Sequence, residues 1–453
     1  MTTPAPDGTG RLAVLAGTLV PGDGRPPLTD AVLLAADGRI TWVGRRTGAT
    51  IPDDALVLDA RDGWVVPGLV EGHAHITSFA APAYHPDAPP PFHDAPLLLD
   101  AFARWGITTI RDTGGPELRA LRTLQTHTGP WPRLFGSGPN LDGRPGGPWK
   151  GMWKTDDPAE AVEFVAREAD AGVDFIKVYA WMTADVLAAV TEASHRRGLK
   201  VAGHVGHLVS GLEAVRLGVD ALEHVRIGRE LLDDAGRAAV AALPVRPRDA
   251  MADTRAWRYL DPDGDAVGAA IDVLLEHGTW LTPTLAVHEA ILGGTGHDHD
   301  HGHGAPDGVA AAIGLHHDAT SARGEASAED RELGPVELDR ICRFVARAHA
   351  AGVRICAGSD TPSGSVPPGS GVHRELELLV AAGISPAEAL RSATSRTAEL
   401  LGRTGSFGSL VPGSEADLVV LDHDPLADVS ATRTIRTVLR SGRQLHTAVP
   451  AAA

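Results

Sequence analysis

Trp64-Val-Val-Pro-Gly-Leu-Val-Glu-Gly-His-Ala-His-Ile76 begins as an apolar strand and ends with two histidines one residue apart. In a strand, residues i and i+2 share a face. His73 and His75 therefore project into one space at the strand's end. Neutral imidazole is the commonest protein ligand for zinc-like ions, so the pair is a candidate metal site. Two histidines at a strand end are also ordinary polar surface, and the pair needs company before it means anything.

Outward from this stretch the pattern differs on its two sides. Before it lie short apolar runs, Leu12–Val20, Ala31–Ala36, Ile40–Val43 and Ala55–Leu58, with Asp37-Gly38 as a hairpin signal. They predict a small antiparallel sheet. After it, helical periods alternate with short strands. Ala95–Trp105 precedes Gly106–Asp112, Pro116–Thr126 precedes Arg133–Ser137, and Asp157–Ala171, with Pro158 in its first turn, precedes Val173–Tyr179. Thr183–Arg197 precedes Lys200–His204, and Leu208–Leu217 precedes Val219–His224. Thr279–Thr284 follows, and the helix Pro335–Ala351 precedes Val353–Asp360. With the His73 strand this makes about eight strand–helix units, which suits an α/β fold of the (β/α)8 TIM-barrel type with insertions. Helices at Glu375–Ala382 and Ser385–Leu401 close the barrel. Gly413–Asp422 and Ile435–Gly442 return to strands and complete the first sheet, so a small β-sandwich domain is built from both chain ends. The expected divisions are 1–66, 67–403 for the barrel, and 404–453.

Two insertions interrupt the alternation. Residues 244–265 are rich in Pro, Arg and Asp. Residues 293–331 carry His297, His299, His301 and His303 in a Gly/Asp/His tract. That tract is either a metal scavenger or an acidic loop, and a flexible tract does not hold a catalytic geometry alone.

The chain has 453 residues, an apolar share of 43% and a net charge of −17. That size supports a large core. The acidic balance excludes nucleic acid and anionic membrane as main partners. Cys342 and Cys356 are the only cysteines, too few for a disulfide framework and in keeping with a reducing compartment. The start, MTTPAPDGTGR, lacks a signal-peptide layout, and no apolar run has the length of a membrane span. A soluble, cytoplasmic protein is expected. A homo-oligomer remains open.

Barrel enzymes carry their active sites at the C-terminal ends of the strands. There the sequence places His73, His75, Lys177, His204, His224 and Asp360, five of them direct metal-ligand types. Singly, each has an ordinary explanation: a hydrogen-bonded interior histidine, an ion-paired lysine, a capping aspartate. Six of them at strand ends do not fall there by accident. Asp112 is expected to pair locally, His207 to lie outside the ligand set, and Cys356 to pack inside the barrel. In the loop after the third strand, Trp149 and Trp153 either wall an apolar pocket, with Arg144 or Lys150 holding a substrate carboxylate, or pack on the barrel rim. Tyr179, on the face of Lys177, either bonds the carbonyl oxygen as it gains charge or is a rim tyrosine.

VVPGLVEGHAHI, GITTIRDTGG, VDFIKVY, KVAGHV, GVDALEHV and the GSD of the eighth strand, followed by PGSEADLVVLD and VLRSGR, together resemble the amidohydrolase superfamily, in its imidazolonepropionase-like and prolidase-like branch. The resemblance covers nearly the whole chain. It implies two divalent ions, zinc first with manganese or cobalt as alternatives. It puts His73, His75 and Asp360 on one ion, His204 and His224 on the other, and Lys177 between them as a carbamate. The expected activity is metal-dependent hydrolysis of an amide bond in a small molecule or dipeptide. A metal-activated hydroxide attacks, with Asp360 as general acid/base and Tyr179 assisting. Two rivals stand beside it: a cyclic-amide or lactone hydrolase of imidazolonepropionase type using one metal, and a metal-binding protein without catalysis. An intact Asp360 speaks against the second.

Overall fold

A computed structural model of the chain describes residues 10–77, 95–115, 131–146, 151–243, 254–292, 328–363 and 366–448. The predicted helix at 116–126 and the histidines of the 293–331 tract lie outside the described residues.

The stretch Trp64–Ile76 is two strands rather than one. In chain order, β1 is Arg11–Leu19, β2 Leu28–Ala36, β3 Arg39–Arg45 and β4 Leu56–Pro67. Next come β5 Leu69–Ala74, β6 Ile107–Asp112, β7 Arg133–Gly136, β8 Leu141–Asp142 and β9 Trp153–Lys154. They are followed by β10 Phe175–Val178, β11 Lys200–Gly203, β12 Ala221–Glu223, β13 Trp280–Thr282 and β14 Arg354–Ile355. The last three are β15 Leu418–Leu421, β16 Ile435–Arg440 and β17 Arg443–Thr447. The break falls at Gly68, whose N–H donates to Asp417 O. Val65 and Val66 pair with β15, whereas Leu69 onward pairs with β6. Periodicity could not see this break, because both strands are apolar and their side chains are buried on either side of it.

The two chain ends do meet, in one seven-stranded sheet ordered β17-β16-β15-β4-β1-β2-β3. Its pairings are antiparallel except β1 with β4, which run parallel, a departure from the all-antiparallel sheet that the turn signals suggested. Asp37 (φ 49°) and Gly38 (φ 79°) form the two-residue turn between β2 and β3, where both positions need left-handed backbone. Leu12, Val14, Leu33, Ile40, Val65, Leu418, Val420 and Leu439 form this sheet's core.

The remaining strands are parallel throughout. β5-β6-β7 form one sheet and β14-β13-β12-β11-β10-β8-β9 another. Hydrogen bonds join the two sheets at two places. Asp174 N donates to Gly136 O at 2.9 Å, linking β7 to the start of β10. Gly72 N donates to Ala357 O at 3.0 Å and Asp360 N to His73 O at 2.8 Å, linking β5 to the chain beyond β14. Helices fill the connections as the periodicity predicts. Pro158–Asp170 is capped by Asp157, which accepts from Ala159 N, and buries Ala161, Phe164 and Val165. Ala184–Arg196 buries Val186, Leu187 and Val190.

Part of the first insertion is anchored. Thr254–Tyr259 forms a 3-10 turn in which Trp257 is fully buried. Its indole N–H donates to Val225 O at 3.4 Å, just past β12, and Arg258 pairs with the buried Glu337.

The terminal sheet's core sets a stability expectation. Leu418 is fully buried, and Leu418→Ala should cost about 2–5 kcal/mol from lost transfer energy and a cavity. Urea denaturation measures this; a loss under about 1 kcal/mol would mean that the sheet is not a tightly packed core.

Candidate metal centre and active site

Parallel strands stack their inward-facing residues in layers. At one end Phe175, Ala202, Ala221, Trp280, Cys356 and Leu400 pack as an apolar floor. Cys356 lies in that floor, with Sγ 3.1 Å from Thr397 Oγ1. Two residues further along the strands come Arg111, Lys177 and Glu223, all buried, and then the histidines and Asp360. Two residues of strand rise about 6.6 Å, so the ionisable layer sits directly on an apolar one.

The upper layer is compact. His75 Nε2 is 3.1 Å from Asp360 Oδ1, and His73 Nε2 is 3.4 Å from the same oxygen. The ring of His73 lies 5.0 Å from that of His224, which lies 4.5 Å from that of His204. Ligand-type atoms of His73, His224 and Asp360 all fall within 4.8 Å of one another. Two of these side chains arrive through uncommon backbone: His224 has φ 63° and Asp360 φ 58°. A non-glycine residue there carries strain of order 1–3 kcal/mol, and such strain clusters at functional sites.

Protonation suits ligation. Burial holds His204 and His224 well below the ordinary histidine pKa, so both are neutral imidazoles. Burial works against charge on Asp360, yet the neighbouring His73 and the hydrogen bond from His75 hold it well below the usual carboxylate range. Burial opposes charge on His75 too, but Asp360 leaves its pKa raised. Lys177 is the anomaly. Its Nζ is buried with no hydrogen-bond partner, and burial pulls its amine down to about 8. His73 Nε2 is likewise buried and unpartnered. Orphaned polar atoms of this kind cost about 1–3 kcal/mol each, and a nitrogen-oxygen cluster around them fits divalent cations of the zinc type.

Tyr179 stacks on His204, with ring centroids 4.2 Å apart. Trp153 is 40% exposed and packs on Phe164, with the Arg167 guanidinium over its ring at 4.3 Å. Arg144 N donates to Asp156 Oδ1 at 2.8 Å. Trp149 and Lys150 lie outside the described residues. Asp112 pairs locally, accepting from Ile76 N and from Thr77 Oγ1 at 2.7 and 2.6 Å. His207 packs against Trp181.

The residues that sequence reasoning missed support the ligands from behind. Glu223 Oε2 takes a hydrogen bond from His73 Nδ1 at 2.7 Å, and its Oε1 takes one from Arg111 Nη2 at 2.8 Å. Thr284 Oγ1 bonds His224 Nδ1 at 2.7 Å, and Gly114 O bonds His75 Nδ1 at 2.8 Å. Glu71 accepts from Ser359 N, Ser359 Oγ and His73 N. One signal was available: Glu223 and Arg111 are charged residues inside short apolar strands.

The amidohydrolase family's sequence pattern matches residues 64–445. The chain belongs to the amidohydrolase family. Among this amidohydrolase's relatives, ochratoxinase of Aspergillus niger is 24% identical over 477 residues, covering 94% of this chain and 84% of the relative. An imidazolonepropionase of Shewanella halifaxensis is 37% identical, but over only 51 residues, 11% of this chain and 12% of the relative. Among solved structures, a Xaa-Pro dipeptidase with bound methionine superposes with a TM-score of 0.70 at 20% identity, over 97% of this chain and all (100%) of the other. A prolidase complexed with N-methylphosphonate-L-proline gives 0.68 at 22% identity, over 97% and 100%. The two solved structures thus share this chain's fold over 97% of its length, and the likeness to imidazolonepropionase is confined to a short segment. No helix among the described residues is long and apolar enough to cross a membrane.

Glu375 supports the helix Leu285–Leu292 that follows β13, accepting from Ala286 N at 2.8 Å. Burial pushes its carboxyl up from 4.5 to about 8. The folded state thus holds this proton more tightly than the unfolded chain. The stability it contributes is full below the ordinary carboxyl range and is lost as pH rises through about 8. Glu375→Gln should flatten the decline between about pH 5 and pH 8, where one such group accounts for up to about 1.4 kcal/mol per pH unit. Urea midpoints at the two pH values test it, and equal slopes for variant and parent would contradict it.

Proposed function

We propose that this amidohydrolase is a metal-dependent hydrolase of amide bonds in small molecules, a dipeptidase or an N-acyl amino acid hydrolase. The observation that carries the proposal is the convergence of His73, His224 and Asp360 within 4.8 Å beside the unpartnered Lys177 amine. The prolidase and Xaa-Pro dipeptidase neighbours support an amide substrate. Within this reading eight of the parallel strands, β5, β6, β7, β10, β11, β12, β13 and β14, close as a (β/α)8 barrel. The bonds at Asp174 and at Gly72 support closure. The terminal sheet folds as the small β-sandwich, and the chain divides into 1–66, 67–403 and 404–453.

His73, His75 and Asp360 would hold one cation and His204 and His224 another, with zinc, manganese or cobalt as suitable ions. Bound there, divalent cations supply carbonyl polarisation and a water acidic enough to react near neutral pH. Lys177 would join the two sets after its amine attacks carbon dioxide, forming a nitrogen–carbon bond and releasing a proton. The depressed pKa keeps a share of that amine neutral and nucleophilic. Asp360 takes the proton of the attacking water and delivers it to the leaving nitrogen. Tyr179, over His204, donates a hydrogen bond to the carbonyl oxygen as charge builds. Arg144 or Lys150 would receive a substrate carboxylate, with Trp149 walling an apolar pocket beside it. One observation favours the second reading, a one-metal hydrolase of cyclic amides or lactones: the trio of His73, His224 and Asp360 is by itself sufficient for a single ion.

The test combines metal removal with one substitution. Exhaustive chelation should abolish hydrolysis of a dipeptide and N-acyl amino acid panel, and zinc, manganese or cobalt should restore it. Asp360→Asn should retain much of the metal and lower kcat by about 100- to 10,000-fold. Full activity in metal-free protein would overturn the metal-dependent mechanism; near-native turnover in the variant would overturn the role of Asp360.

A further inference from the structure

We infer that Glu223 is a positioning residue: it acts through His73, fixing which ring nitrogen carries the proton so that Nε2 presents a bare lone pair to the ligand cluster. The inference rests on the metal-centre reading above. An ionised carboxylate only accepts hydrogen bonds. The contact of 2.7 Å between Glu223 Oε2 and His73 Nδ1 therefore places the ring hydrogen on Nδ1. In the neutral ring, the form that ligates a metal, Nε2 then has no hydrogen, and it is the atom that is buried without a hydrogen-bond partner, 3.4 Å from Asp360 Oδ1. A protonated Nε2 would point a hydrogen where a cation has to sit.

The carboxylate is itself held from two directions. Arg111 Nη2 donates to Glu223 Oε1 at 2.8 Å, while Arg111 Nη1 donates to Gly72 O at 3.0 Å. Gly72 is the residue before His73, so a closed ring runs from the His73 ring through Glu223 and Arg111 back to the backbone that carries His73. All three side chains are buried. Both carboxylate oxygens are engaged in this ring, which leaves Glu223 a support for the ligands and not one of them. Glu223 also stands next to His224 in the chain. A single dipeptide at the end of β12 thus orients one predicted ligand and supplies another, tying the two halves of the centre together.

Glu223→Gln tests the inference because the amide has one accepting and one donating end. Arg111 offers only donors, so the amide oxygen should turn to Arg111 and the amide NH2 to His73 Nδ1. That forces the ring hydrogen onto Nε2. Metal-stripped Glu223→Gln should therefore bind zinc about 10- to 100-fold more weakly than metal-stripped parent protein in calorimetric titration. Nitrogen-15 imidazole spectra of the metal-free parent, with His73 assigned by the loss of its signals in His73→Gln, should show the Nδ1–H form. The same spectra of Glu223→Gln should show the Nε2–H form. Zinc affinity within twofold of the parent, or an Nε2–H form of His73 in the parent, would overturn the inference. The parent spectrum decides even if the variant fails to fold. Failure of the parent to bind any divalent cation would instead count against the metal-centre reading, and the tautomer measurement would still stand.

Discussion

The upper layer of the parallel strands depends on one close approach. β5 and the chain from Ile355 to Asp360 lie backbone against backbone, with Gly72 N bonded to Ala357 O and Asp360 N to His73 O. A side chain at Gly72 would collide with the Ala357 carbonyl, and one at Gly358 would collide with His73 itself. These two glycines let the first and last strands of the series meet at contact distance. That contact brings His73, from one end of the alternating region, to Asp360, from the other. Glu71 fastens the same joint from below through Ser359 and the His73 amide. Remove the approach, and the carboxylate and its two histidines have no reason to share a space.

Burial then gives the layer its chemistry. Desolvation keeps His204 and His224 neutral and lowers the Lys177 amine to about 8. Asp360 stays ionised because imidazoles surround it. Neutral nitrogens beside a fixed anion are what a divalent cation requires, and a lysine that sheds its charge easily is compatible with that cation in a way that an ammonium is not. The apolar floor of Phe175, Trp280 and Cys356 below keeps water from entering behind the ionisable layer.

Much of this was legible in the chain. Alternating periods announced parallel strands with helical connections, and the i, i+2 spacing of His73 and His75 announced a shared face. Asp157 and Pro158 announced a helix start that the structure reproduces. What stayed hidden was what one-dimensional periodicity cannot carry. The break at Gly68 separates two apolar strands whose partners are hundreds of residues apart. Strand alternation puts Glu223 and His224 on opposite faces, but the left-handed backbone at His224 lets both serve the same centre. The anchored turn at Trp257 lies in a segment whose sequence has little periodicity, and its contacts with Val225, Phe344 and Glu337 give it order. Trp153 looked like a pocket wall equally with a rim residue, and it packs beside the helix Pro158–Asp170.

The central claim is that these residues form a divalent metal centre within the parallel strands. Anomalous diffraction from crystals of the metal-loaded enzyme tests it most directly. The account predicts one scattering peak at His73, His75 and Asp360, a second at His204 and His224, and added density on Lys177 Nζ between them. Active, metal-loaded protein with no scatterer at His73 and Asp360, whatever is bound elsewhere on the chain, would contradict it.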